Sequence, residues 1–208
     1  MNLLLVLRDF DAQAFTALSP PLTWWTREQQ HRPPTIFTLQ ELQESADVFA
    51  IELLDIQHSH RVLLGQDVVA GIEIHMNLHR VEVEHELRTT LLRLRHHLLL
   101  SPEDEEELRL VLAKSITSVL TLFRHSLIAL GETPPHDRSK LLEHAGELFA
   151  FDPHPLKFIL EIREHDQPVQ GHIITDVRQL YYAYVSAIAR VAHELDVREP
   201  KQKWRKQS

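Results

Sequence analysis

The pattern of apolar and polar positions changes near Gly71. Before that point the apolar residues come in short continuous runs, such as residues 3–7, which are bounded by charged or turn-forming residues. Runs of this length are typical of buried β-strands. After it, apolar residues recur every three or four positions with charged residues between them, the period of an amphipathic helix. We therefore expect an α/β region over 1–70 and a helical region over 71–198.

In the first region, four apolar runs are predicted strands: residues 3–7, 35–37, 47–56 and, at an edge, 61–65. Residues 11–30 have helical spacing that Ser19-Pro20-Pro21 interrupts, which predicts two short helices with a break. Thr38 followed by Glu41 is the capping-box arrangement that begins a helix. Strands that alternate with helices indicate a mixed sheet with helices.

The second region predicts an antiparallel helical bundle. Its predicted helices cover residues 72–100, 102–130, 139–149, 155–163 and 175–197. Ser101 and Pro102 are the expected cap and first turn of the second helix, and Gly131 is its expected end. On the last helix the expected inward residues are Val177, Leu180, Tyr181, Tyr184, Ile188, Val191 and Leu195. The basic segment 199–208 is expected to be disordered.

Composition excludes several classes of site. The 208 residues include no cysteine, so disulfides, thiolate nucleophiles and Cys-type zinc sites are absent. The five glycines lie too far apart for a glycine-rich phosphate loop. With 30 acidic and 22 basic residues the net charge is -8, which makes nucleic acid an unlikely partner. No apolar run has the length of a membrane span, and we expect a cytoplasmic protein with no membrane partner.

Two groups of residues are candidates for chemistry. His75, His79 and Glu82 lie on one side of a predicted helix at a spacing that suits zinc, although the same spacing fits a solvated helix face. Glu52 lies in the middle of an apolar run that is predicted to be a strand. An uncompensated buried carboxylate is costly, so Glu52 either faces a polar cleft or a metal, or lies on an edge strand and faces water.

The order of these segments resembles a known family. An apolar strand over 2–7 and a helical stretch precede a strand with a central acid over 49–56, and then come residues 60–67 and long helices. This arrangement resembles bacterial nucleotidyltransferase-domain proteins of the polymerase-β superfamily with a C-terminal helical domain. The resemblance implies an α+β fold, in which a nucleotidyltransferase-like mixed sheet with helices precedes an antiparallel helical bundle.

The resemblance also implies a chemistry. Such enzymes transfer a nucleoside monophosphate from a nucleoside triphosphate to a hydroxyl acceptor, and carboxylates hold two Mg²⁺ ions for the attack. Glu52 falls at the position of the third metal-binding acid and is the expected catalytic residue. Asn2 falls at the second metal position. The Gly-Ser turn and the first acid would lie before Met1, so the sheet is expected to be N-terminally incomplete, with Mg²⁺ and nucleotide binding implied by the family alone.

Two functions follow. The first is a nucleotidyltransferase-like protein that is inactive or impaired as this chain stands, because Asn2 is a poorer Mg²⁺ ligand than a carboxylate. The second is a non-catalytic helical binding or oligomerisation module. In either case the sheet edge beside residues 3–7 is expected to be exposed and to bring together a homo-oligomer or a partner chain.

Overall fold

The computed structural model describes residues 3–165 and 176–198 of the chain. By its internal contacts the chain divides into two compact units, Met1–His75 and Met76–Ser208, here called unit 1 and unit 2. Asn2, Thr175 and segment 199–208 lie outside the described residues, so the predictions made for them stay predictions. At the coarse level the α+β expectation is confirmed, because the described chain is mostly helical with one small sheet.

The sheet of unit 1 has two parallel strands, β1 (Leu4–Leu7) and β2 (Thr35–Thr38). Leu4 pairs with Thr35 and Leu7 with Thr38. Both strands were expected from their short apolar runs, and both are confirmed. Parallel pairing requires a long crossover connection, which here is the segment between residues 8 and 34.

The crossover contains helix α1 (Ala12–Thr23), followed by a π-helical turn over Trp24–Glu28. Asp11 caps α1 by accepting a hydrogen bond from the Ala14 N–H at 2.8 Å. The predicted break at Ser19-Pro20-Pro21 is wrong, since both prolines lie inside α1. No residue of α1 is buried, so water can bind the backbone carbonyls that the prolines leave without an amide donor.

Two further helices complete unit 1, α2 (Leu39–Glu44) and α3 (Ala50–His58). The predicted capping box is confirmed: Thr38 Oγ1 accepts from the Glu41 N–H at 3.1 Å, and Glu41 accepts from the Thr38 N–H at 2.7 Å. The predicted strand over 47–56 is wrong, because most of it belongs to α3. The predicted edge strand over 61–65 is also wrong: this segment has no regular structure and its leucines are exposed.

One face of the sheet packs on a small core. Leu4, Val6 and Phe37 contact a buried cluster contributed by α2, the turn after it, α3 and the chain after α3, namely Leu42, Ala46, Leu53, Val69 and Ile72. Gln57 of α3 fixes the last of these segments, because its Nε2 donates to the carbonyls of Val69 at 3.0 Å and Ile72 at 2.8 Å.

In its described residues, 76–165 and 176–198, unit 2 has five helices: α4 (Met76–Leu100), α5 (Glu105–Ala129), α6 (Arg138–Phe149), α7 (His154–His165) and α8 (Val177–Val197). Helix α5 contacts each of the other four. The prediction of one helix over 108–130 is confirmed, and Gly131 follows it with a φ of 81°. Asp104, rather than Ser101, caps this helix, and its side chain accepts from the Glu107 N–H at 2.9 Å.

The core of unit 2 is well filled. All seven inward residues predicted for α8 are buried. On α4, Leu87, Leu91 and Leu94 are buried, whereas Leu78 and Val81, which fit the same spacing of three or four positions, are exposed. By length and composition α5 could cross a membrane, yet half of the relevant window is buried inside the unit. Core helices of globular proteins have the same composition, so this is weak evidence for a span.

Candidate functional site

Glu52, the predicted catalytic residue, lies in the first turn of α3 with an exposed side chain. Its neighbours Ala50, Ile51, Leu53 and Leu54 are buried. At 100° per residue these four share one side of a helix, and Glu52 falls on the opposite side. The helix therefore removes the problem of a buried carboxylate, because Glu52 keeps its hydration while the apolar residues pack. The second predicted metal ligand, Asn2, lies outside the described residues.

The proposed zinc triplet does not come together as the spacing suggested. His75 is exposed, whereas His79 is completely buried. Within residues 3–165 and 176–198, no group of three or more histidine and acidic side chains is placed to hold a metal ion. The metal interpretation of this spacing therefore has no geometric support in the described part of the chain.

His79 instead forms a buried pair with His125 that sequence reasoning missed. His79 Nε2 of α4 lies 2.9 Å from His125 Nδ1 of α5, and neither residue is exposed. The ring centroids are 5.1 Å apart at an interplanar angle of 57°. One proton occupies the space between the two nitrogens, so one ring donates and the other accepts. The pair is a polar link between two core helices.

A contact between His60 and Asp67 stabilises the loop that follows α3. His60 Nδ1 lies 2.8 Å from the Ile56 carbonyl oxygen, and His60 Nε2 lies 3.0 Å from Asp67 Oδ2. The hydrogen bond to Asp67 raises the pKa of His60. Asp67 also accepts from the backbone N–H groups of Ala70 at 3.1 Å and Val69 at 3.2 Å, and these bonds, with that to His60, lower the pKa of Asp67. His60 and Asp67 thus tie residues 60–70 to the end of α3.

Unit 1 also contains an open cleft of about 400 Å³. Phe15, Leu18 and Leu22 of α1 form one wall, Ile36 of β2 lies opposite, and Phe10 closes one end. The pyrrolidine rings of residues 33 and 34 complete the apolar lining. The cleft is open to solvent, and its lining is mainly apolar.

The polar residues at the cleft are few. Thr26 Oγ1 donates to the Leu22 carbonyl at 2.7 Å, so its hydroxyl is engaged within the helix. Arg27, also at the cleft, forms no ion pair with any residue that the structure describes. The Trp25 Nε1–H donates to the Arg32 carbonyl at 3.0 Å and the Trp25 ring packs on His31 at 4.2 Å, which fixes the chain between α1 and β2. The cleft thus offers an apolar surface and one cation.

No protein-family model matches the chain, and neither a curated protein nor a solved structure matches it.

Proposed function

We propose that this chain is a partner-binding module of nucleotidyltransferase ancestry, and that as it stands it does not transfer nucleotides at a useful rate. The observation that carries the proposal is the apolar cleft of unit 1. The proposed partner is a protein chain that places an apolar segment in this cleft, with the cytoplasm as the proposed location. The proposal includes no role for a membrane or for nucleic acid.

The cleft is lined by apolar side chains that the described part of unit 1 leaves exposed to water. An amphipathic helix normally buries its apolar side against a core, yet Phe15 of α1 is 61% exposed and Phe10 beside it is 54% exposed. Removing apolar surface from water contributes about 25 cal/mol per Å². A partner segment that covers these two rings would therefore gain binding free energy without opening any existing core.

The open edge of the sheet provides a second element that a partner chain can bind. In the described part of unit 1 it has only the strands β1 and β2, so β1 has one edge without a neighbouring strand. Residues Leu4–Leu7 include no proline and no charge that would discourage pairing. Recognition by strand addition uses such edges. Arg27 favours an acidic residue in the partner segment, because it supplies the cleft's positive charge.

The proposed ancestry rests on the sequence resemblance, which implies a nucleotidyltransferase-like sheet in unit 1 and an antiparallel bundle in unit 2. The contacts of α5 with four other helices support the bundle. Two-metal transfer needs carboxylates on both Mg²⁺ ions. Glu52, exposed on a helix, is the one carboxylate that the resemblance assigns, with Asn2 as the other metal ligand. This arrangement supports the proposed lack of efficient catalysis.

The binding proposal is tested with the environment-sensitive dye ANS on the full chain. We expect dye fluorescence with the unaltered protein and a clear reduction with Phe15→Gln, because the ring forms the wall of the cleft. Leu64→Gln is the matched control, since Leu64 is an isolated leucine of unit 1 that is 95% exposed. Equal fluorescence from all three proteins would refute the assignment of the cleft as the binding surface.

The proposed lack of nucleotide transfer is tested separately. The purified chain is incubated with Mg²⁺ and radiolabelled nucleoside triphosphates, alongside Glu52→Gln. We expect no label transfer from either protein, since losing even one preorganised electrostatic contact costs about 3 to 4 kcal/mol in the transition state. Transfer that disappears in Glu52→Gln would show that Glu52 is catalytic and that the proposal is wrong.

A further inference from the structure

Helix α4 has an exposed apolar stripe on the side away from the core of unit 2. Its buried side, which includes His79, Val83 and Leu87, packs in a unit where α4 contacts α5 and α8. Four other residues recur at intervals of seven and are exposed: Leu78, His85, Leu92 and Leu99. Leu92 is 65% exposed and Leu99 is 80% exposed. Residues seven apart lie on the same side of a helix, because seven residues make nearly two full turns.

We propose that this stripe is a homotypic interface, at which α4 of one copy packs antiparallel against α4 of a second copy of this chain. The proposal concerns a surface of unit 2 and does not depend on the cleft of unit 1. Leu78 and Leu99 are 21 positions apart, so the stripe is roughly 32 Å long. Three exposed leucines within one such stripe make it unlike the scattered apolar residues of an ordinary surface.

The stripe of one copy is complementary to the same stripe of a second copy that runs antiparallel to it. With a two-fold axis between residues 88 and 89, Leu78 of one copy lies at the level of Leu99 of the other. His85 then lies at the level of Leu92, and Thr89 lies next to the axis. Every large apolar side chain of the stripe therefore meets a stripe residue of the second copy, as an isologous interface requires.

The charges on α4 also favour the antiparallel arrangement. Residues 76–87 contain one arginine and three glutamates, a net charge of -2, whereas residues 88–100 contain three arginines, a net charge of +3. Reversal places the acidic half of one helix against the basic half of the other. A parallel, in-register pair would place like charges side by side, which is destabilising.

Two charged residues of α4 can form ion pairs between the two copies. Glu86 and Arg93 flank the stripe on the same side, and neither forms an ion pair with any residue in the described part of the chain. In the antiparallel pair Glu86 lies close to Arg93 of the second copy. Arg88, by contrast, is engaged within its own chain, with Glu84 at 2.7 Å and Asp196 at 3.3 Å.

The first test is the mass of the full chain by sedimentation equilibrium. We expect a reversible dimer at tens of micromolar. The double variant Leu92→Gln, Leu99→Gln should raise the dissociation constant at least about tenfold, because each leucine loses its apolar contact. Leu110→Gln is the matched control, since Leu110 is a half-exposed leucine of α5 outside the stripe. Circular dichroism checks that each variant keeps its helix content, which exposed leucine to glutamine changes should preserve.

Charge reversal tests the pairing itself. Arg93→Glu and Glu86→Arg should each weaken the dimer, and the variant that carries both should recover most of the affinity. A merely structural effect of either residue would not be rescued by the second change. Weakening by Phe15→Gln with no effect of the leucine changes would place self-association in unit 1 and overturn the inference.

The absence of cysteine allows orientation to be tested directly. Thr89→Cys should form an intermolecular disulfide on mild oxidation, because residue 89 lies beside the axis, whereas Leu78→Cys should not, because its two copies lie at opposite ends of the interface. Disulfides from both variants would indicate a parallel pair and contradict the proposal. A chain that stays monomeric at these concentrations, or a dimer that Leu92→Gln, Leu99→Gln leaves intact, would also overturn it.

Discussion

The two units differ in how completely their helices bury apolar residues. In unit 2, helix α8 buries eleven of its residues and α5 also buries eleven. In unit 1, α1 buries none, and its aromatic residue Phe15 lies over an open cleft. Residues 11–30 have the same helical spacing of apolar positions as α5 and α8, so the spacing shows which residues prefer to leave water but not what covers them. In unit 1 the covering surface is, in our proposal, a partner.

The largest expected difference is in the free energy of unfolding when one phenylalanine in each unit is replaced by alanine. Phe123 of α5 is completely buried and Phe15 of α1 is mostly exposed. We expect Phe123→Ala to lower the free energy of unfolding by about 3–5 kcal/mol, and Phe15→Ala to change it by no more than about 0.5 kcal/mol. Denaturant unfolding followed by circular dichroism measures both, and similar losses would contradict the comparison.

The next effect concerns the buried histidine pair of unit 2. Either His79→Leu or His125→Leu leaves the remaining ring without its 2.9 Å hydrogen bond, which should cost about 1–3 kcal/mol. The variant with both changes should lose less than the sum of the single losses, because no buried imidazole is then stranded. Strict additivity in this double-mutant cycle would show that the two rings do not stabilise each other.

Tyrosines of α8 offer a matched test of burial. The Tyr181 hydroxyl donates to the Leu94 carbonyl at 2.8 Å, whereas the adjacent Tyr182 is 60% exposed. We expect Tyr181→Phe to cost about 1 kcal/mol and Tyr182→Phe to cost almost nothing. Equal effects of the two changes would argue against the packing of α8 described above.

Tyr181 also makes the stability of unit 2 sensitive to alkali. Burial raises the pKa of Tyr181 to about 12. Since the unfolded chain releases this proton near pH 10 and the folded chain retains it, stability should fall as pH rises from 10 towards 12. Tyr181→Phe should make this decline shallower, and unfolding curves at successive pH values provide the measurement.

The smallest expected effect concerns the contact between His60 and Asp67 in unit 1. The raised pKa of His60 stabilises the folded loop below the usual value of 6.5, and this contribution is lost as pH rises through the folded pKa. The lowered pKa of Asp67 contributes above its usual value of 3.8 and is lost as pH falls through its folded pKa. Between these limits His60→Gln should reduce hydrogen-exchange protection at the Val69 and Ala70 amides, and less so in mild alkali. His75→Gln, an exposed control, should leave that protection unchanged.

Sequence reasoning succeeded where one period extended over a long segment or a short run had clear limits. Helices α5 and α8 are examples of the first, and β1 is an example of the second. It failed at residues 47–56, because a ten-residue apolar run with Glu52 inside fits a buried strand and a helix with one outward acid equally well. The helix avoids burying that acid, which decides between them.

Part of the inward side of α4 was missed for a different reason. Two polar residues, His79 and Thr90, lie on the buried side, whereas Leu78, which fits the helical spacing of the apolar residues, is exposed. His79 depends on His125, which lies 46 residues further along the chain, and no local pattern reveals such a contact. The cleft was equally hidden, since it forms only when the crossover places α1 opposite β2.

Residue-resolved hydrogen exchange on the full chain tests the central contrast most directly. Amides in α5 and α8 should exchange only through unfolding of unit 2 and show the strongest protection, while α1 amides should exchange much faster because no buried contacts hold that helix in place. Protection of α1 as strong as that of α5 and α8 would contradict the account, because it would show that unit 1 holds α1 firmly without any partner in the cleft.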